Sequence, residues 1–180
     1  CFEMKGEKMK YDAFISYRHT PLDMKVARNL HKALETYHIP KAVRKKTGKK
    51  KITRVFRDQE ELPTSSSLSA NIDEALKESE YLIVICSPDT PGSQWVEREI
   101  TAFIELHGRD HVLALLIAGE PEESFPEPLR HDKSGLDVEP LAADIRAWTD
   151  RGRMKKLRVE KLRLLAAILG CSYDDLKQRQ

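Results

Sequence analysis

The chain has 180 residues and a 40% hydrophobic content, enough for one domain with a sizeable core. A net charge of +2 excludes a globally basic, nucleic-acid-binding character, and no apolar run reaches the ~18 residues of a membrane-spanning helix. Cys1, Cys86 and Cys171 lie far apart without metal-ligand spacing, which suits a reducing, cytosolic compartment.

In chain order, residues 11–17 (YDAFISY) alternate and then run apolar, as a buried strand does. Leu22 to Tyr37 carries Val26, Leu30, Ala33, Leu34 and Tyr37 on one helical stripe and stops before Pro40. Residues 41–54 hold eight Lys or Arg, read as a solvated loop, with attraction of phosphates or an anionic surface as the weaker reading. Residues 52–58 read as a second strand, and 67–79 as a helix with Leu68, Ile72, Ala75 and Leu76 inward. Residues 81–87 (YLIVICS) form a continuous apolar run, hence a central strand covered on both faces. A helix over 93–106 and a fourth strand over 111–118 follow, then a Pro- and Glu-rich surface loop over 119–140. A short fifth strand is expected within VEPLAADI, and a long helix from Lys155 to Gly170 turns Leu157, Leu162, Leu165, Ala166 and Leu169 inward. Strands alternating with helices imply an α/β fold, a parallel sheet with helices on both faces. Residues 1–9 read as an N-terminal extension, 10–176 as a single domain, and 177–180 as the start of a linker to a further C-terminal region.

The helix over 93–106 raises a chemical question. At about 100° per residue, Val96, Ile100, Phe103 and Ile104 form one apolar face, with Trp95, Ala102 and Leu106 beside it. Glu97, Arg98, Thr101 and Glu105 share the opposite, solvated side. Glu99 falls among the apolar residues, one turn from both Trp95 and Phe103. A carboxylate pointed inward is either half of a buried ion pair, a cap for a neighbouring loop, or a functional acid or base in a cleft. In parallel sheets ligands bind beyond the carboxyl ends of the strands, at the switch in strand order. The polar segments SYRHTPLD, RDQEELPTSSS and SPDTPGSQW all fall on that edge, as does the start of the Glu99 helix.

The segments YDAFISYRH, VFRDQEELPTSSSLSANIDEALKES and YLIVICSPDTPGSQWVEREI, in that order, resemble a Toll/interleukin-1 receptor (TIR) domain of the bacterial, NAD-cleaving branch. The resemblance covers about residues 10–170. It implies a flavodoxin-like three-layer sandwich around a five-stranded parallel sheet. It also implies cleavage of NAD between nicotinamide and ribose, with NAD as substrate and neither cofactor nor metal. Glu99, four residues after Trp95, takes the catalytic position. Ser16, Tyr17, Arg18, His19, Asp58 and Trp95 take substrate-binding positions. The loop from Arg57 to Ser67 is the one that closes over the site. This chain has Thr64, Ser65, Ser66 and Ser67 there, followed by Leu68, where some NAD-cleaving relatives carry an aromatic. Expected partners are NAD and further TIR domains, through self-association, with no nucleic acid and no membrane contact by the domain itself. The expected location is cytoplasmic, either alone or as the cytosolic part of a larger or membrane-anchored protein, and the expected role is in bacterial defence.

Each position keeps a plainer alternative. Trp95 also reads as core packing, His19 as a loop histidine, and Asp58 as a loop cap. Arg18 either grips a pyrophosphate or pairs with Asp23 or Asp58. No GxGxxG occurs, which argues against a redox NAD enzyme. The rivals to NAD cleavage are a non-catalytic TIR scaffold and a nucleoside deoxyribosyltransferase; RDQEELP favours TIR over the latter.

Overall fold

The computed structural model describes residues 9–52, 54–58 and 66–177, and for 66–69 the backbone alone. Five strands form one sheet: β1 (Tyr11–Ser16), β2 (Val55–Arg57), β3 (Ser79–Cys86), β4 (Val112–Leu116) and β5 (Leu141–Asp144). Their order is β2-β1-β3-β4-β5 and every pairing is parallel. This is the flavodoxin-like order, whose switch point lies between β1 and β3. Leu82 to Cys86 are fully buried, so β3 is covered on both faces, as its unbroken apolar run predicts.

Strand alternation splits the core into two layers. Ala13, Ile15, Ile83, Ile85, Leu113 and Leu115 face helices α1 (Pro21–Glu35) and α7 (Asp150–Leu169). Phe14, Leu82, Val84, Cys86, Ala114 and Leu116 face α3 (Ser66–Lys77) and α4 (Gln94–His107). Successive side chains on a strand point to opposite sides. Ser16 therefore shares the side of Phe14, toward α4, while Tyr17 joins the α1 layer.

Several expectations change. The basic stretch is not simply a loop: α2 (Lys41–Thr47) forms on Lys and Arg, which are good helix formers. Val43 is its one buried anchor, and Gly48 closes it with φ 74°. One apolar anchor makes no periodic stripe, so the helix left no pattern in the sequence. The 119–140 segment contains two one-turn helices, α5 (Pro121–Ser124) and α6 (Glu127–Arg130), each with Pro in its first turn. The long helix α7 begins at Asp150, where the Thr149 hydroxyl accepts from Gly152 N–H at 3.0 Å. A last helix, α8 (Tyr173–Lys177), anchors through Leu176. On α4, Leu106 is exposed rather than part of an apolar stripe.

Gly119, just after β4, has φ 74° and packs so closely that an added Cβ would lie 2.5 Å from Pro88 Cγ and 2.6 Å from Ser124 Oγ. Pro88 belongs to the loop after β3, so this contact seats that loop against the end of β4. Gly119→Ala forces both a strained backbone and an overlap. It is expected to lower stability by about 1–3 kcal/mol, seen as an earlier denaturant midpoint at unchanged slope.

Candidate functional site

The candidate site lies where β1 and β3 end. Helix α4 starts after Ser93, whose hydroxyl accepts from Val96 N–H at 3.3 Å. Val96, Ile100 and Phe103 bury one face of α4 on the sheet, and that packing carries Glu99 inward. Glu99 is 3% exposed, whereas Glu97, Arg98, Thr101 and Glu105 are exposed. Ser16 Oγ donates to Glu99 Oε1 at 3.0 Å. Glu99 Oε2 is buried and has no hydrogen-bond partner among the described residues.

Burial raises the Glu99 carboxyl from its ordinary 4.5 to about 8; the Ser16 hydrogen bond opposes this, and the negative charge of Asp58 adds to it. An inward-facing carboxyl of this kind is no ion pair: no cation lies within salt-bridge distance among the described residues. That disposes of the buried-ion-pair reading raised by the sequence.

Of the other predicted residues, Asp58 is close enough for its charge to act on Glu99. The Tyr17 hydroxyl donates to the backbone carbonyl of Asp58, tying the end of β1 to the end of β2. The Tyr17 ring stacks on His19 at 4.7 Å with 12° between planes. Burial raises the Tyr17 phenol, while the neighbouring Arg57 lowers it. Asp58 is buried at the mouth of the segment that follows β2. Residues 59–65 lie outside the described residues, and with them Thr64 and Ser65 of the predicted closing loop.

Arg18 meets neither Asp23 nor Asp58 in an ion pair. Its Nη1 donates to the backbone carbonyl of Asp89 at 2.7 Å, bridging the loops after β1 and β3 across the switch point. Trp95 is half-buried against the α3–α4 layer, with the Arg98 guanidinium 5.1 Å over its ring.

One residue entered the sequence reading only as a pairing partner for Arg18. Asp23, in the first turn of α1, is 2% exposed, and its Oδ2 has no partner among the described residues. Burial raises its carboxyl to about 6, against a hydrogen bond from Thr20 and the Arg18 charge. The available signal was Asp three residues after Thr20 with Pro21 between them, the spacing of a helix start.

Among the described residues no group of three His, Cys, Asp or Glu is placed to hold a metal ion. Nor is any described helix long and apolar enough to cross a membrane. A cavity of about 660 Å³ lies elsewhere, between the 121–140 segment and β5. Its lining carboxylates, Glu122, Asp137, Glu139 and Asp144, are exposed, unlike Glu99.

The sequence model of one family, described as TIR domain, matches residues 13–157. The chain belongs to the TIR domain family. A relative from Actinoplanes sp. named NAD(+) hydrolase ApTIR is 36% identical over 115 residues, 62% of this chain but 15% of that protein's length. Among solved structures, the TIR domain of the Toll-related receptor TRR-2 from Hydra magnipapillata gives a TM-score of 0.48 at 19% identity, over 89% of this chain and 98% of that one. The TIR domains of the activated Roq1 resistosome give 0.45 at 24% identity, over 62% of this chain and 60% of that one. In this TIR domain the Ser16–Glu99 contact joins the carboxyl end of β1 to α4 beside the switch point.

Proposed function

We propose that this TIR domain cleaves NAD at the bond between nicotinamide and ribose, and that it does so as a self-associated assembly in a bacterial defence response. The observation that carries the reading is Glu99: a buried carboxyl, held by Ser16 on one oxygen and without a partner on the other, at the carboxyl edge of a parallel sheet. The 36% identical relative named an NAD(+) hydrolase supports it.

In the reaction the C1′–N bond breaks and its electron pair goes to the nicotinamide nitrogen. The leaving group departs neutral, so no acid is needed. Positive charge is left on the ribose, and a carboxylate beside it stabilises that charge. Water then adds at C1′ and loses a proton, giving ADP-ribose. Attack by a nitrogen or hydroxyl of the same nucleotide gives a cyclic isomer instead.

Glu99 takes the stabilising role and Ser16 orients it. Trp95 provides an apolar wall, with Tyr17, His19 and Asp58 lining the ribose side. Arg18 leaves the Asp89 carbonyl for the pyrophosphate, a charge-assisted and stronger pairing. Because Glu99 is buried, substrate reaches it only when the adjoining loops part, and an assembly that holds them apart would switch the domain on.

The test is incubation of the concentrated domain with NAD, resolving nicotinamide, ADP-ribose and cyclic products. Nicotinamide is expected, with specific activity that rises with protein concentration by mass action. No nicotinamide at any concentration would leave the non-catalytic TIR scaffold as the function.

A further inference from the structure

Asp23 is a buried acid that the reaction described above does not use. Glu99 comes from α4, on the Phe14 side of the sheet, whereas Asp23 comes from α1, which packs on the opposite, Ile15 side. Its exposure of 2% matches the 3% of Glu99. Thr20 gives it a side-chain hydrogen bond, and its Oδ2 has no hydrogen-bond partner among the described residues. A buried acceptor without a donor destabilises a fold. A first-turn acid would normally avoid that by staying in water, where it still complements the helix dipole.

The charges that act on Asp23 show where it lies. Arg18, in the loop after β1, and Asp89, in the loop after β3, are both close enough to act on it. The charge of Asp23 in turn reaches the thiol of Cys86, the last residue of β3. The same two loops are joined by the hydrogen bond from Arg18 Nη1 to the Asp89 carbonyl at 2.7 Å. At rest, then, Arg18 engages a neutral backbone oxygen although a buried carboxyl lies within reach of its charge. A guanidinium is a planar fork of five N–H donors, able to hold a carboxylate along one edge and a phosphate along another. A carboxylate behind it fixes the plane of that fork, which an unsupported arginine leaves to chance.

We infer that Asp23 is a positioning residue for Arg18: once Arg18 leaves the Asp89 carbonyl, the Asp23 carboxylate takes one edge of the guanidinium and turns another toward the pyrophosphate of the dinucleotide. This role rests on the reading of the site as one for NAD. Asp23 itself touches no substrate; it acts through Arg18. The Asp23 oxygen that lacks a donor at rest gains one in the engaged arrangement, so the two changes favour each other. Two buried acids then divide the work, Glu99 answering the ribose cation and Asp23 orienting the residue that grips the phosphates.

ADP-ribose is the probe, because it keeps the pyrophosphate and has no nicotinamide bond to cleave. Binding is measured by calorimetry at about pH 7.5, where the Asp23 carboxyl, raised by burial to about 6, is ionised. Asp23→Asn keeps the size of the side chain and removes the charge; it is expected to weaken ADP-ribose binding about tenfold. Arg18→Ala is expected to weaken it at least as much. In the Arg18→Ala background, Asp23→Asn is expected to add less than about a twofold loss, since nothing is left to position. A residue that only supports the fold would lose the same factor in both backgrounds. Asp23→Ser should repeat the Asp23→Asn result, and thermal melting is run on every variant. With NAD as substrate, the Asp23 variants should show an about tenfold higher KM at nearly unchanged kcat. Equal losses in both backgrounds, unchanged ADP-ribose affinity in both Asp23 variants, unfolding of both, or a wild type that binds no ADP-ribose would each overturn the inference. A wild type that binds ADP-ribose but releases no nicotinamide from NAD would end the cleavage reading alone, and the binding series would still decide the role of Asp23.

Discussion

Glu99→Gln is expected to release nicotinamide from NAD on the order of a hundred- to a thousandfold more slowly than the wild type. Glutamine keeps the size of the side chain and can still accept from Ser16, but it carries no charge for the developing ribose cation. The loss should fall on kcat rather than KM, because the charge it answers exists only near the transition state. Glu97→Gln is the internal control. It lies two residues away on the solvated face of α4, and its activity should match the wild type. Equal loss in both variants, or unfolding of Glu99→Gln alone, would make Glu99 structural and end the catalytic assignment.

The pH dependence should be nearly as large. Burial sets the free-enzyme Glu99 carboxyl at about 8, and stabilising a cation needs the ionised form. From pH 6 to pH 8 the ionised fraction rises roughly fiftyfold, and kcat/KM for NAD should follow it. Ser16→Ala removes the hydrogen bond that favours the carboxylate, so its rising limb should move to higher pH. Stability runs the other way. The folded carboxyl holds its proton up to about 8 whereas the unfolded one holds it to 4.5. The stabilisation from that proton is full below 4.5 and is lost as pH rises to about 8. Glutamine has no proton to lose. Its melting temperature should therefore gain on the wild type between pH 5 and pH 8 and track it below that. A pH–rate limb near 4.5, with parallel melting curves, would show Glu99 to be an ordinary solvated acid.

How much of this was legible beforehand depends on the residue. Glu99 stood out because it is a lone carboxylate among the apolar positions of a 3.6-residue pattern, and burial follows from that pattern. β3 was equally plain from its unbroken apolar run. The Ser16–Glu99 bond was not readable, since it needs both the strand alternation that turns Ser16 toward α4 and the packing that brings α4 over β1. The burial of Asp23 was hidden because a first-turn acid is ordinarily a solvated partner of the helix dipole; only the fold shows it covered. Helix α2 had no stripe to reveal it, and its cations suggested a loop. The Arg18–Asp89 contact uses a backbone carbonyl, which no side-chain pattern announces.

The place of β1 in the sheet bears on how the chain is made. It is the first of these five strands to leave the ribosome, yet it lies between β2 and β3, and Tyr11 to Ser16 register against Ser79 to Val84. Until β3 has been synthesised, the Phe14–Ile15 pair has neither that neighbour nor the α4 layer that covers it. Synthesis at about 5–20 residues per second leaves this apolar segment unpaired for several seconds. The nascent domain is therefore most prone to misassociation early, before the central pair closes, and a pause or truncation between β2 and β3 would strand it in its most adhesive form. Substitutions that weaken β3 should accordingly reduce the yield of soluble protein by more than their effect on the finished fold.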